Sequence, residues 1–180
     1  MIGWMLQYRG VSVAPIRRNN RSVSPQGRGT NNVRVSFYTY VMLGLALLGV
    51  ADAFYDSYAI YTHQPLWCPP PIDGCNIVAA SSYAYIRGVP VGYFGVAYYL
   101  CMFALAALLV FAPTSRALRL AAVSVAAVGV IFSVYFMRVQ FAFIHAFCIY
   151  CLISAVLTVL LLIAALAHYR ASRSPIEVAT

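Results

Sequence analysis

Residues Cys148 to Ala167 read CIYCLISAVLTVLLLIAALA, twenty positions without a charged side chain. At 1.5 Å rise per residue, a helix of this length crosses about 30 Å of hydrocarbon. The polar and apolar alternation of a membrane barrel strand is missing, so helix is the form in which this backbone satisfies its own N–H and C=O groups in lipid. Three runs of the same kind precede it, at Phe37 to Tyr58, Val91 to Phe111 and Ala117 to Met137. A chain of 180 residues that is 63% hydrophobic and 9% charged is too apolar for a soluble domain and too short for several. The expected fold is an all-α membrane protein, a four-transmembrane-helix bundle over residues 36–169. An Arg-rich tail, residues 1–35, is expected to be disordered, and residues 170–180 form a second short tail.

Orientation follows from arginine, because the chain contains no lysine. Arg9, Arg17, Arg18, Arg21, Arg28 and Arg34 precede the first span, Arg116 and Arg119 separate the second and third, and Arg170 and Arg173 follow the fourth. The alternate segments hold only Arg87 and Arg138. The positive-inside rule therefore places both termini in the cytoplasm and the segments 62–88 and 138–147 outside. The net charge of +8 is accounted for by this orientation, and the lipid bilayer rather than nucleic acid is the expected partner. Arg17-Arg18 is followed by Asn19-Asn20-Arg21-Ser22 where a twin-arginine signal would turn hydrophobic, so no secretory leader is expected in the tail.

Both cysteine pairs fall on the outer face. Cys68 and Cys75 frame Pro69-Pro70-Pro71-Ile72-Asp73-Gly74, where prolines suppress helix and Asp-Gly favours a turn, so the two sulfurs can meet. Beyond them, Asn76 is expected to cap a short amphipathic helix reaching Ile86, before Gly88-Val89-Pro90 starts the second span. Cys148 and Cys151 stand two residues apart at the head of the last span, within disulfide reach. At a helix N-terminus the unpaired N–H groups and the macrodipole favour a thiolate at Cys148, while Cys151 lies one turn deeper. Such a pair can pass electrons from an aqueous thiol to a lipid-soluble acceptor. Cys101, in mid-span, is expected to be a small buried apolar residue.

Rival readings exist. Haem attachment requires His where Leu152 stands, and a structural zinc suits a proline-rich loop on an oxidising face less well than disulfides do. Two static disulfides stapling a non-catalytic membrane protein are the more serious alternative. Thiol state separates the two, since an enzyme interconverts its pairs and a staple stays oxidised.

Asp52-Ala53-Phe54-Tyr55, Cys68, Gly74-Cys75-Asn76-Ile77-Val78 with Ser81, Gly88-Val89-Pro90, Gly95-Val96-Ala97-Tyr98-Tyr99 and the Cys148 to Cys151 pair follow one another in an order that resembles the vitamin K epoxide reductase family in its bacterial form. The likeness runs from about Val35 to Tyr169. It implies a four-helix bundle around a quinone, menaquinone or ubiquinone, open toward the outer loop. It further implies that Cys68 and Cys75 relay electrons from a thioredoxin-like partner to Cys148 and Cys151, which reduce the quinone. Animal members carry Asn and Tyr against the vitamin K head group, at positions that align with Val91 and Ala155 here, which argues against epoxide reduction and warfarin-type inhibition. Ser81, Val91 and Ala155 are expected on the wall of the quinone pocket, with Ser81 either donating to a carbonyl or capping a turn. Many bacterial members continue into a fused thioredoxin-like domain, whereas this sequence stops at Thr180, so the expected partner is a separate extracytoplasmic protein. Asp52 and Asp56 lie four apart on one face of the first span, and Asp52 is a candidate proton handler or an equally plausible neutral structural carboxyl. His63 and His145 read as interfacial residues.

Overall fold

The computed structural model describes residues 25–70 and 74–172, with side chains from Arg34 onward. Four of its helices are long and apolar enough to cross a membrane. Helix α1 runs Pro25–Tyr61, α3 Val91–Phe111, α4 Arg116–Val139 and α5 Ile149–Ala171. Between α1 and α3 lie a short helix α2, Cys75–Ala80, and the two-residue strands β1, Tyr85–Ile86, and β2, Val89–Pro90. Around the bundle α1 packs on α3 and α5, and α4 closes the ring against both of these.

Three boundaries depart from expectation. Residues 25–35, expected within the disordered tail, are helical. A proline is tolerated in a first helical turn, and once the membrane span has nucleated a helix, each added residue costs little. The rest of that tail, with Arg9, Arg17, Arg18 and Arg21, and residues 173–180 with Arg173, lie outside the described residues, as do Pro71, Ile72 and Asp73 of the cysteine loop. The third span, expected to end at Met137, winds on through a widened turn over Gln140–Ile144 and stops at His145, whose φ is 56°.

The helix expected from Asn76 to Ile86 stops at Ala80 instead. Ser81 adopts an extended backbone, and its Oγ and N–H both donate to Val78 O, at 2.7 and 3.1 Å. A serine that closes its own turn in this way competes with further helix. Tyr85-Ile86 and Val89-Pro90 then pair antiparallel across Arg87 and Gly88, both with positive φ as a two-residue hairpin turn requires. Asn76 does not cap α2. Its carboxamide instead accepts from Leu66 N–H at 2.8 Å and donates to Leu66 O at 3.2 Å, tying the loop before Cys68 to the helix after Cys75.

The half of the bundle nearer the termini is filled by Met42, Ala46, Met102, Ala106, Leu109, Ala122, Ala126, Leu161, Ala164 and Ala165. Without water between lipid-embedded helices, close backbone approach supplies the packing, which small residues permit. At Gly49 of α1 even a methyl group would overlap the ring of Tyr99 on α3. Cys101, expected to be buried, instead sits on the outer surface of α3, where a weakly polar thiol is compatible with lipid.

Candidate redox site

Cys68 and Cys75 are joined as a disulfide across a Cα separation of 6.2 Å, while Cys148 and Cys151 are free thiols. Cys75, at the start of α2, is fully buried, and Cys68 is partly exposed. Cys75 and Cys148 share one small apolar cluster with Ala59 and Leu66, and Cys68 and Cys151 pack against it. The four sulfur-bearing residues of two sequence-distant segments thus converge at the loop end of the bundle.

Glycine makes that convergence possible. A Cβ on Gly74 would stand 2.8 Å from the backbone N and O of Phe147, so the residue before Cys75 lies against the residue before Cys148. Tyr150 completes the attachment, because its hydroxyl donates to Trp67 O at 2.7 Å while its ring stacks near Tyr55 of α1.

Cys148 occupies the N-terminal boundary of α5 with an extended backbone, φ −98° and ψ 125°. Its N–H donates to Oε1 of Gln140 at 2.8 Å. A hydrogen bond from the Cys151 thiol, helped by the backbone N–H groups of Cys151 and Tyr150, holds the Cys148 thiol below its ordinary ionisation range although burial opposes this. Cys148 is therefore the sulfur of the pair placed to act as a thiolate, as expected for the first cysteine at a helix N-terminus.

Below the thiols, a cavity of about 470 Å³ opens inside the loop half of the bundle. That volume is within the range of small-molecule sites, and the lining is mostly apolar with a few polar groups. Asp52 and Asp56 of α1, Ser81 at the end of α2, Val91 and Tyr98 of α3, and Cys75, Cys148, Cys151 and Ser154 all contribute to its wall. Among the described residues no arginine or histidine pairs with either carboxylate. Ser81 is in place, but its proton is given to Val78 O, so toward the cavity it offers oxygen lone pairs.

Ala155 is not in that wall. It lines a separate recess between α4 and α5 with Val130, Val134 and Val159. One residue is a 100° step around a helix, and that step turns Ala155 toward α4 while Ser154 faces the cavity.

Several contributors escaped the sequence reading. Tyr99 donates to the backbone carbonyl of Ser154 and pairs with its hydroxyl at 2.7 Å, whereas the buried hydroxyl of Tyr98, packed at Gly129, has no partner. An apolar cavity with an unsatisfied hydroxyl in its wall fits a flat carbonyl-bearing ring such as a quinone. Gln140 was also passed over, although an uncharged polar residue inside an otherwise apolar segment eight positions before Cys148 is a usable signal. His63 and His145 terminate helical segments with φ of 53° and 56°, a backbone role beyond an interfacial location.

The model of the vitamin K epoxide reductase family matches residues 40–166. A search among curated proteins returns no match. The matched stretch takes in all four spans' cavity-lining residues and both cysteine pairs.

Proposed function

This chain belongs to the vitamin K epoxide reductase family, and from that premise we propose that it oxidises a separate thioredoxin-like protein and passes the electrons to menaquinone or ubiquinone. The observation that carries the reading is the shared cluster of Cys75 and Cys148 between a partly exposed loop disulfide and a cavity inside the bundle.

Burial sets the order of exchange. Cys68 is the more exposed sulfur of the loop pair, so a partner thiolate attacks there, forms a mixed disulfide with Cys68 and releases Cys75 as a thiolate. Cys75 lies against Cys148 and attacks it when Cys148 and Cys151 are disulfide-bonded, freeing Cys151. The partner's second thiol closes the partner's own disulfide and frees Cys68, which attacks Cys75 in the Cys75–Cys148 bond. Cys68–Cys75 is re-formed and two electrons are left on the Cys148 and Cys151 thiols, the arrangement of one disulfide and two thiols present in the structure. Each exchange exchanges one disulfide for another, so the partner loses two electrons and two protons and the inner pair gains them.

A quinone in the cavity supplies an acceptor for two electrons and two protons, with re-formation of the Cys148–Cys151 disulfide. Cys151 and Cys148 border that cavity directly, and Asp52 and Asp56 hold carboxyl groups in its wall from which a proton can be delivered. Tyr98 and Ser81 offer a donor and an acceptor, respectively, for orienting a head group. The mostly apolar wall disfavours water beside the reduced thiols, which limits wasteful exchange.

The distribution of arginine supports placing the site outside a bacterial cytoplasmic membrane with both termini inside. Arg34, Arg116, Arg119 and Arg170 are at one end of the spans, and Arg87 and Arg138 are at the other. A pair of static staples accords less well with free thiols at Cys148 and Cys151 beside an oxidised loop pair.

The test is turnover of the purified protein with a reduced thioredoxin-like substrate and a soluble quinone. One quinone should be consumed per partner disulfide formed, and alanine at any of Cys68, Cys75, Cys148 or Cys151 should stop it. Fixed thiol states under these conditions would leave the stapled, non-catalytic protein as the better description.

A further inference from the structure

Gln140 holds the backbone of Cys148 and shares a cavity wall with both cysteines of the inner pair, yet the exchange scheme above gives it no part. It is 1% exposed, opens the widened turn at the end of α4, and lines the cavity with Cys148 and Cys151. Its Oε1 accepts the Cys148 N–H at 2.8 Å. That contact fixes the orientation of the carboxamide, because only the oxygen can accept from a backbone N–H. The NH₂ end is therefore turned away from that N–H, and Cys151 stands on the same cavity wall as Gln140. Widened turns of this kind are frequent at functional sites, and here the turn begins at the residue that holds the Cys148 backbone.

We propose that Gln140 donates an N–H···S hydrogen bond to Cys151 as the Cys148–Cys151 bond breaks, and so eases the departure of Cys151. The inference rests on the reading of Cys148 and Cys151 as a redox pair. In the step, the Cys75 thiolate forms a bond to Sγ of Cys148, the Cys148–Cys151 bond breaks, and its electron pair departs on Cys151. No proton moves at that moment, so the new negative charge must be met by a donor already in place. Water is scarce in an apolar wall, which makes a fixed amide donor there more effective than in solution. A thiol better stabilised as thiolate leaves faster, so the donor speeds the departure of Cys151, while the seating of Cys75 beside Cys148 decides which sulfur is attacked. Contact of Gly74 with Phe147 points to the same choice, since it brings Cys75 to Cys148.

The test uses the full-length protein carrying Cys148→Ser, in which the backbone N–H held by Gln140 is kept and Cys151 cannot re-form its disulfide. Iodoacetamide labelling of Cys151 is followed by peptide mass spectrometry across pH, with and without Gln140→Leu. Loss of the donor should slow labelling about tenfold near neutral pH, with the two rates converging at alkaline pH where every thiol is ionised. Equal rates at neutral pH would overturn the proposal. So would slowing by the same factor at every pH, which reports access alone. Gln140→Met, close in shape, replaces the leucine variant should that protein not retain its Cys68–Cys75 disulfide. In parallel, the wild-type pair is titrated with dithiothreitol. Failure of Cys148 and Cys151 to cycle sinks the redox reading itself, whereas cycling with unchanged labelling in the Gln140 variants sinks only the role of Gln140.

Discussion

The two halves of the bundle are built on opposite plans. The half near the termini is closed by Ala106, Ala122, Ala126, Leu161 and Ala165, which let helices meet at short range with nothing left between them. The half near the loop is hollow, with a cavity of about 470 Å³, two unpaired carboxyl groups and a tyrosine hydroxyl without a partner. Unsatisfied polar groups and empty space each disfavour folding. Buried polar atoms without partners occur in both halves, at Tyr98 in one and at Arg119 and His168 in the other, but the empty space is concentrated in the loop half, where the packing of the filled half tolerates it.

The comparison is broken most completely by removing the sulfur at the bottom of the relay. Under turnover with a reduced dithiol partner, Cys151→Ser should abolish quinone reduction and accumulate a Cys75–Cys148 mixed disulfide, because the thiol that closes the cycle is gone. Mass spectrometry of the trapped protein checks it. Recovery of Cys68–Cys75 as the only disulfide would mean that the two pairs do not communicate.

Filling the hollow half should separate the two half-reactions. Val91→Trp, in the cavity wall, is expected to reduce quinone-dependent oxidation by about a hundredfold while the loop pair still exchanges with a dithiol protein. Ala155→Trp, in the recess between α4 and α5, should leave quinone reduction within about twofold of the parent. Steady-state rates with each acceptor measure both. The reverse ranking would relocate the acceptor to the α4–α5 recess.

Opening the filled half should affect stability and spare chemistry. Leu161→Ala removes a fully buried side chain and should cost about 2–4 kcal/mol, seen as an earlier thermal unfolding midpoint in detergent. Turnover at low temperature should match the parent. A loss of quinone affinity in this variant would show that the two halves are coupled.

Legibility in the sequence follows the same division. Twenty uncharged residues in a row have one physical solution in lipid, so the span Val91–Phe111 was readable to the residue. The four cysteines were readable as well, because thiol pairs at the head of a membrane span have few uses. Less legible were contacts between segments with no periodic signal. That Asn76 would hold Leu66 rather than cap α2, or that Gly74 would lie on Phe147, depends on how the loop folds over α5. The hairpin at Arg87-Gly88 was hidden by its apolar neighbours, which suit an amphipathic helix equally well. Ala155 was placed by alignment to a position whose neighbour, Ser154, turned out to face the cavity, a difference that helix rotation decides.

The smallest expected effect concerns the first thiol of the pair and sharpens the boundary between the exposed loop and the closed cavity. The hydrogen bond from Cys151 is the main cause of the lowered ionisation of Cys148, with backbone N–H groups of α5 assisting and burial opposing. With the loop pair oxidised, labelling of Cys148 should therefore persist to a more acidic pH than labelling of an ordinary thiol, falling only as the pH drops through the lowered value. Cys151→Ala removes the donor and leaves burial to oppose the backbone groups, so the midpoint should move up toward that of free cysteine. Stopped-flow alkylation across pH, read peptide by peptide, measures it. An unmoved midpoint would assign the effect to the helix terminus alone, and Cys151 would then serve Cys148 only as its disulfide partner.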